Sequence, residues 1–160
     1  MLEYEYSFIV KDMKPYIDYC EKEGYEKIGE NSQIRELFTS NNKVLARITK
    51  KITENGDEIV LDFKDENDSD EVLKSSRETL PLQITESDRE AVNSILDILG
   101  YKKIKHLDRK RMVYKKGNVT FEIDEYFAPD VMYVVAIEGE KTAVDETYKI
   151  ISETINNEVK

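Results

Sequence analysis

Leu2-Glu3-Tyr4-Glu5-Tyr6-Ser7-Phe8-Ile9-Val10 opens the chain with a strict alternation. Leu2, Tyr4, Tyr6 and Phe8 are apolar, and Glu3, Glu5 and Ser7 stand between them. A period of two residues predicts a strand with one buried face. The polar face of this strand is charged, and the same pattern returns along the chain. Arg47, Thr49 and Lys51 share a face opposite Ala46, Ile48 and Lys50; Asp62 and Lys64 share one against Leu61 and Phe63. Arg109 and Arg111 lie together, as do Glu122 and Asp124 against Phe121 and Ile123, and Glu138 and Glu140 against Val135 and Ile137.

Working outward, a helix is expected from about Met13 to Glu23, with Asp12 as cap, Pro15 in the first turn and Gly24 after its end. Strands are expected at Ile34 to Thr39, Lys43 to Ile52 and Glu58 to Lys64, with Asn55-Gly56 as a hairpin turn. Asp65 to Glu71 reads as an acidic loop and Leu73 to Leu80 as a further strand. A second helix, Glu86 to Leu99, starts at a Thr85/Asp88 capping pair and ends at Gly100. Strands at Ile104 to Lys115, Val119 to Tyr126 and Met132 to Glu140 follow. A last helix runs from Ala143 to Asn157, capped by Thr142 with Asp145, with Val144, Tyr148, Ile151 and Ile155 on its inner face.

The halves of the chain, about 1–76 and 77–160, match at a shift of 76 residues. Asp12, Gly24, Tyr25, Lys27, Ile28 and Arg35 correspond to Asp88, Gly100, Tyr101, Lys103, Ile104 and Arg111. Short connections between the strands predict mainly antiparallel pairing. The fold class is α+β. Three amphipathic helices need an apolar partner, and the apolar sheet face is the large one available. About eight strands turned apolar side outward close into a tunnel-like barrel with a polar lumen and helices outside.

Composition narrows the function. The chain has 160 residues, 24 Lys+Arg against 34 Asp+Glu, a net charge of −10 and one cysteine. The length fits one domain. The lone Cys20 excludes an internal disulfide framework and a cysteine-built zinc site. No apolar run approaches the ~20 residues of a membrane span, and the N-terminus lacks the pattern of a secretion signal. The expectation is a cytoplasmic protein with no membrane partner. An acidic chain is a poor general binder of nucleic acid. The basic stretch Lys102 to Lys116 alternates as a strand does, so no nucleic-acid partner is expected. Charges inside a barrel are costly unless paired or neutralised by bound ions. Carboxylates on neighbouring strands suit Mg²⁺ or Mn²⁺, and guanidinium groups suit polyphosphate.

These motifs resemble the CYTH, or triphosphate tunnel metalloenzyme, superfamily. Its first-strand Glu-x-Glu-x-Lys is present as Glu3-Tyr4-Glu5-Tyr6-Ser7, without the lysine. Its Leu-Arg-Ile-Arg strand is Ala46-Arg47-Ile48-Thr49, with the first arginine only. Leu61-Asp62-Phe63-Lys64 keeps the lysine of the next strand, and Arg77 keeps the arginine of Arg-x-Glu-x-Glu. Arg109-Lys110-Arg111-Met112-Val113-Tyr114 and Ile123-Asp124 match later strands, and Ala136-Ile137-Glu138 keeps one closing glutamate.

The resemblance implies a hydrolase acting on tripolyphosphate, thiamine triphosphate or a nucleoside triphosphate. It implies Mg²⁺ or Mn²⁺ on Glu3, Glu5, Asp124 and Glu138, and phosphate held by Arg47, Lys64, Arg77, Arg109 and Arg111. Glu3, Glu5, Lys64 and Arg109 would carry the catalysis. Two alternatives stand beside it: a nucleotide- or polyphosphate-binding module without turnover, since Ser7, Thr49 and Ala136 each replace a family charge, and a class IV adenylate cyclase. A homodimer is compatible with all three.

Overall fold

The computed structural model describes residues 2–66 and 73–156. In chain order these form β1 (Leu2–Val10), α1 (Lys14–Lys22), β2 (Glu26–Thr39), β3 (Leu45–Thr53), β4 (Gly56–Glu66), β5 (Lys74–Glu78) and β6 (Leu82–Ile84). A one-turn helix (Glu86–Asp88) and α2 (Arg89–Ile98) follow. The chain continues through β7 (Lys102–Lys116), β8 (Val119–Ala128), β9 (Met132–Gly139) and α3 (Lys141–Ile151), and α3 runs into a single π-helical turn (Ser152–Asn156).

The sheet order is β3-β2-β7-β8-β9-β1-β5-β4, and β3 pairs with β4 to close it. Eight antiparallel strands therefore form a barrel. The short β6 continues the course of β5 along β4, where Leu61 faces Leu82. The expected barrel with helices outside is what forms. The core lies between barrel and helices rather than inside the barrel. Tyr16 and Cys20 of α1, with Val144 and Ile151 of α3, bury Phe121, Ile123, Val135 and Ile137. Val92 and Leu96 of α2 cover Ala46, Ile48 and Ile59. No described helix is long and apolar enough to cross a membrane.

Several local expectations shift. β2 begins at Glu26, eight residues before the expected strand, because β7 offers a long partner; the two pair from Glu26↔Lys115 to Thr39↔Lys102. Asp65 and Glu66 extend β4 instead of opening a loop; 67–71 lie outside the described residues. Asp12 accepts from the Lys14 amide, while Met13 holds the cap position of α1. The expected last helix divides into α3 and the π-helical turn. Glu140, not Thr142, caps α3, accepting from the Thr142 and Ala143 amides at 3.1 and 3.0 Å. Thr85 and Asp88 form the expected capping box. Gly139 is required where β9 turns into α3. Its φ is +142°, and a Cβ there would lie 1.9 Å from the Asn118 carbonyl oxygen.

Strand register shows how the halves are arranged. Gln33 pairs with Arg109, 76 residues away. Asn31 pairs with Arg111 and Arg35 with Leu107, and the same shift exchanges these two pairs. Such a ladder lies on a pseudo-two-fold axis. Outward from it, Thr49 sits on Arg35 as Asp124 sits on Arg111, and Arg47 on Leu37 as Glu122 on Val113. One strand further, Lys64 takes the place of Glu138. α1 corresponds to α2: Tyr25 bonds back to Cys20 at 2.8 Å, and Tyr101 to Leu96 at 2.9 Å.

Candidate functional site

The barrel encloses a cavity of about 390 Å³. Strand parity builds its wall, because outward residues satisfy the helices and every second residue must then point inward. Among the described residues, six cationic side chains line it: Arg35, Arg47, Lys51, Lys64, Arg109 and Arg111. All six come from β4, β3, β2 and β7, which are consecutive in the ring. Among the described residues, seven carboxylates line it: Glu3, Glu5, Asp62, Glu78, Glu122, Asp124 and Glu138. Six of these belong to β8, β9, β1 and β5, the other half of the ring. The lumen thus has a cationic wall and an anionic wall.

The cationic wall is incompletely neutralised. Arg109 is only 3 % exposed. Its Nε donates to Gln33 Oε1 at 2.9 Å and its Nη1 to the Tyr126 hydroxyl at 2.7 Å. Asp124 is 3.9 Å from Nη1, and among the described residues Nη2 has no hydrogen-bond partner. Arg35 donates Nε to Thr49 Oγ1 at 2.8 Å. Among the described residues, no ion pair joins Arg35 to a carboxylate. Burial, with Arg109, Arg47 and Arg111 nearby, pushes the Arg35 pKa well below its ordinary value. Burial and Arg111 act on Arg109 in the same direction. An anion in the lumen would relieve both. Arg47 is satisfied: burial opposes its charge, but Asp62, bonded at 2.9 Å, and Glu78, at 3.3 Å, hold its pKa above the ordinary range.

On the anionic wall, carboxylate oxygens of Glu5, Glu122 and Glu138 lie within 4.8 Å of one another. Glu5 and Glu138 are direct cross-strand partners, and Glu122 faces Ala136 one step along. Burial, reinforced by Glu122 and Glu5, pushes the Glu138 pKa up to about 9. Burial also raises that of Glu5, against the pull of Lys64 at 3.9 Å. Three hard oxygen donors from three neighbouring strands fit a divalent cation of the Mg²⁺ or Mn²⁺ type. Arg111 braces this wall. Its Nε and Nη2 grip Asp124 at 2.8 and 2.9 Å, and its Nη1 meets Glu122 at 2.6 Å.

Glu3, Glu5, Arg47, Lys64, Arg109, Arg111, Asp124 and Glu138, all named from sequence, line the lumen. Arg77 does not. The Lys64↔Glu78 pairing turns Glu78 inward, so Arg77 points outward to Asp65 at 2.6 Å. The carboxylate cluster also differs from the expected metal set. Asp124 is committed to Arg111, Glu3 stands outside the cluster, and Glu122 completes it. Sequence reading left Arg35, Gln33, Tyr126 and Glu78 unassigned. Arg35 was within reach, since the repeat aligns it with Arg111; Gln33 and Tyr126 carry no charge pattern to mark them.

No protein-family model matches this chain, and no curated protein matches it in sequence. Solved structures do match. The PH1012 protein of Pyrococcus horikoshii OT3 is 22 % identical with a TM-score of 0.71, over 96 % of this chain and 88 % of that one. HpAC1 of Hippeastrum, a provisionally assigned adenylyl cyclase with a dominant triphosphatase activity, is 14 % identical with a TM-score of 0.65, over 94 % and 86 %. A chain of the Schizosaccharomyces pombe Mediator head module is 8 % identical with a TM-score of 0.63, over 100 % and 97 %. The likeness is one of fold. The same fold is found in structures described as provisionally assigned adenylate cyclases, one of them with a dominant triphosphatase activity. The Mediator match makes plain that the fold does not by itself assign an activity.

Proposed function

We propose that the lumen binds a linear triphosphate or polyphosphate and hydrolyses its terminal phosphoryl group, as a CYTH-type triphosphatase. The observation that carries this reading is the division of the lumen into two walls, with an unpaired guanidinium nitrogen of Arg109 on one and a carboxylate cluster on the other. A polyphosphate is a flexible polyanion. Its oxygens match guanidinium forks on Arg35, Arg47 and Arg109, with Lys64 as a point charge between the walls.

Glu5, Glu122 and Glu138 would hold the divalent cation, with Glu3 beside them. When bound, such an ion polarises a phosphoryl oxygen and lowers the pKa of water. The chain's own contribution is positional. Arg35 and Arg109 fix the anion, and their charge offsets that developing on the phosphoryl and bridging oxygens. Water adds to the terminal phosphorus, its bond to the bridging oxygen breaks, and orthophosphate and a shortened phosphate chain leave. Binding without turnover is the second reading. Ser7, Thr49 and Ala136 leave three neutral positions on the lumen wall.

The test is orthophosphate release from tripolyphosphate with Mg²⁺ or Mn²⁺, alongside thermal shifts with each ligand. Release that disappears in Glu5→Ala is expected. A shift without release leaves the binding reading. No shift with any phosphate compound removes both.

A further inference from the structure

Arg35, Arg47, Arg109 and Arg111 divide into two kinds by what holds them. Arg47 sits on Asp62, and Arg111 on Asp124 and Glu122. Arg35 and Arg109 sit on neutral groups. Arg35 Nε donates to Thr49 Oγ1 at 2.8 Å. Arg109 Nη1 donates to the Tyr126 hydroxyl at 2.7 Å, and its guanidinium carbon stands 5.5 Å from the centre of the same ring. A carboxylate fills the bonds of a guanidinium and cancels its charge. A neutral oxygen fills a bond and leaves the charge standing.

The two hydroxyls have a second property. Each accepts from an arginine, which has only protons to give, so each still holds its own proton. Among the described residues, neither the Thr49 nor the Tyr126 O–H meets an acceptor. Both side chains are buried and line the lumen.

Strand register brings the two pairs together. Thr49 is the cross-strand partner of Arg35, and Tyr126 that of Arg109. Gln33 lies opposite Arg109 and two residues from Arg35, so the two arginines are diagonal neighbours on one face, within reach of each other's side chains. The consecutive strands β3, β2, β7 and β8 thus turn two uncancelled charges, the unpartnered Arg109 Nη2 and two unspent hydroxyl protons into the lumen. Tyr126 is two inward steps along β8 from Glu122 of the carboxylate cluster, and Asp124 between them is gripped by Arg111.

We infer, on the reading of the lumen as a polyphosphate site, that the Thr49 and Tyr126 hydroxyls are direct ligands of the bound phosphate. Arg35–Thr49 and Arg109–Tyr126 then act as two arginine–hydroxyl couples, with both members of each donating to phosphoryl oxygens. The groups left over are donors, which suits a phosphoryl group that carries no proton, as the inner groups of a polyphosphate do. Thr49 is on this assignment a phosphate ligand and not simply a missing charge.

Calorimetry of tripolyphosphate binding in EDTA tests this, because it separates these couples from any cation on the carboxylate cluster. The native protein is expected to bind. Tyr126→Phe and Thr49→Val keep the shape and remove the hydroxyls. Each is expected to weaken binding by about tenfold or more, as for a lost hydrogen bond to a charged group. A hydroxyl that only positions its arginine has no effect once that arginine is gone. Tyr126→Phe is therefore repeated in Arg109→Ala, and Thr49→Val in Arg35→Ala, and a further loss is expected in each. A second readout does not depend on affinity. The ¹⁹F resonance of 3-fluorotyrosine at position 126 is expected to move on saturation with tripolyphosphate, and that of the same label at Tyr16, packed between α1 and the outside of the barrel, is not. No further loss in the arginine-free backgrounds, or an unmoved resonance at 126, would overturn the inference and leave the lumen reading standing. Native binding that occurs only with Mn²⁺ would do the same. A native protein that binds tripolyphosphate under neither condition overturns both.

Discussion

Arg35 and Arg111 occupy equivalent places in the two halves of the barrel, yet their electrostatic situations are opposite. Arg111 is held by Asp124 and Glu122, and although burial disfavours its charge, those carboxylates keep its pKa above the ordinary range. Arg35 has a threonine where Arg111 has Asp124. The exchange continues outward. Arg47 replaces Glu122, and Lys64 replaces Glu138. Equivalent backbone positions outward from the axis therefore carry cations on β3 and β4 and carboxylates on β8 and β9, across a single cavity. Pseudo-symmetry of the backbone with reversed side-chain charge is a direct way to place an anion site opposite a cation site.

The sharpest break of that comparison comes from truncating each arginine. Arg111→Ala strands two carboxylates and is expected to destabilise the fold by about 3–5 kcal/mol, read from denaturant titration. Arg35→Ala removes one bond to Thr49 together with repulsion from three other arginines. Its stability should hold or rise, while tripolyphosphate affinity falls about tenfold to a hundredfold, the range expected for a charged hydrogen bond worth ~1.5–3 kcal/mol. Equal stability losses in the two variants would contradict the division between paired and unpaired walls.

The next effect is one of pH. The Glu138 pKa of about 9 lies above the ordinary 4.5. Between these values the folded state keeps a proton that the unfolded state has released. The resulting stability is complete below about pH 4.5 and is lost as pH rises through about 9. Without divalent cation, Tm should fall across that window. Mn²⁺ should flatten the fall by displacing the proton. Glu138→Gln should flatten it as well and should abolish the Mn²⁺ response. A pH-independent Tm in the native protein would break the anionic-wall assignment.

A smaller effect sharpens the functional reading. Ser7 and Ala136 are direct cross-strand partners beside the carboxylate cluster. The double variant Ser7→Lys, Ala136→Glu adds a compensated pair and should raise phosphate release severalfold; no gain would favour binding without turnover. The smallest effect belongs to Arg77→Ala. A surface pair is worth ~0–1 kcal/mol, and lumen binding measured by calorimetry should not change.

The alternation of the strands made the barrel legible. Apolar residues on one side of Leu61-Asp62-Phe63-Lys64 and Phe121-Glu122-Ile123-Asp124 must meet helices, so the charged sides must meet one another. The same parity named most of the lumen residues. It failed at Arg77, where a short strand of five residues offers no apolar alternation by which to orient it. It could not separate Glu122 from Asp124 as the cluster member, because both project inward and only the contact with Arg111 divides them.

From the amino-acid order alone followed most of the strands and helices, the outward apolar face and most of the charges destined for the interior, since these depend on local periodicity and burial. Tertiary structure decided which charges neutralise one another and which are left unpaired. Ion pairing depends on distances across strands far apart in sequence. The same distances leave Arg35 without a carboxylate, commit Asp124 to Arg111, and crowd Glu5, Glu122 and Glu138 together.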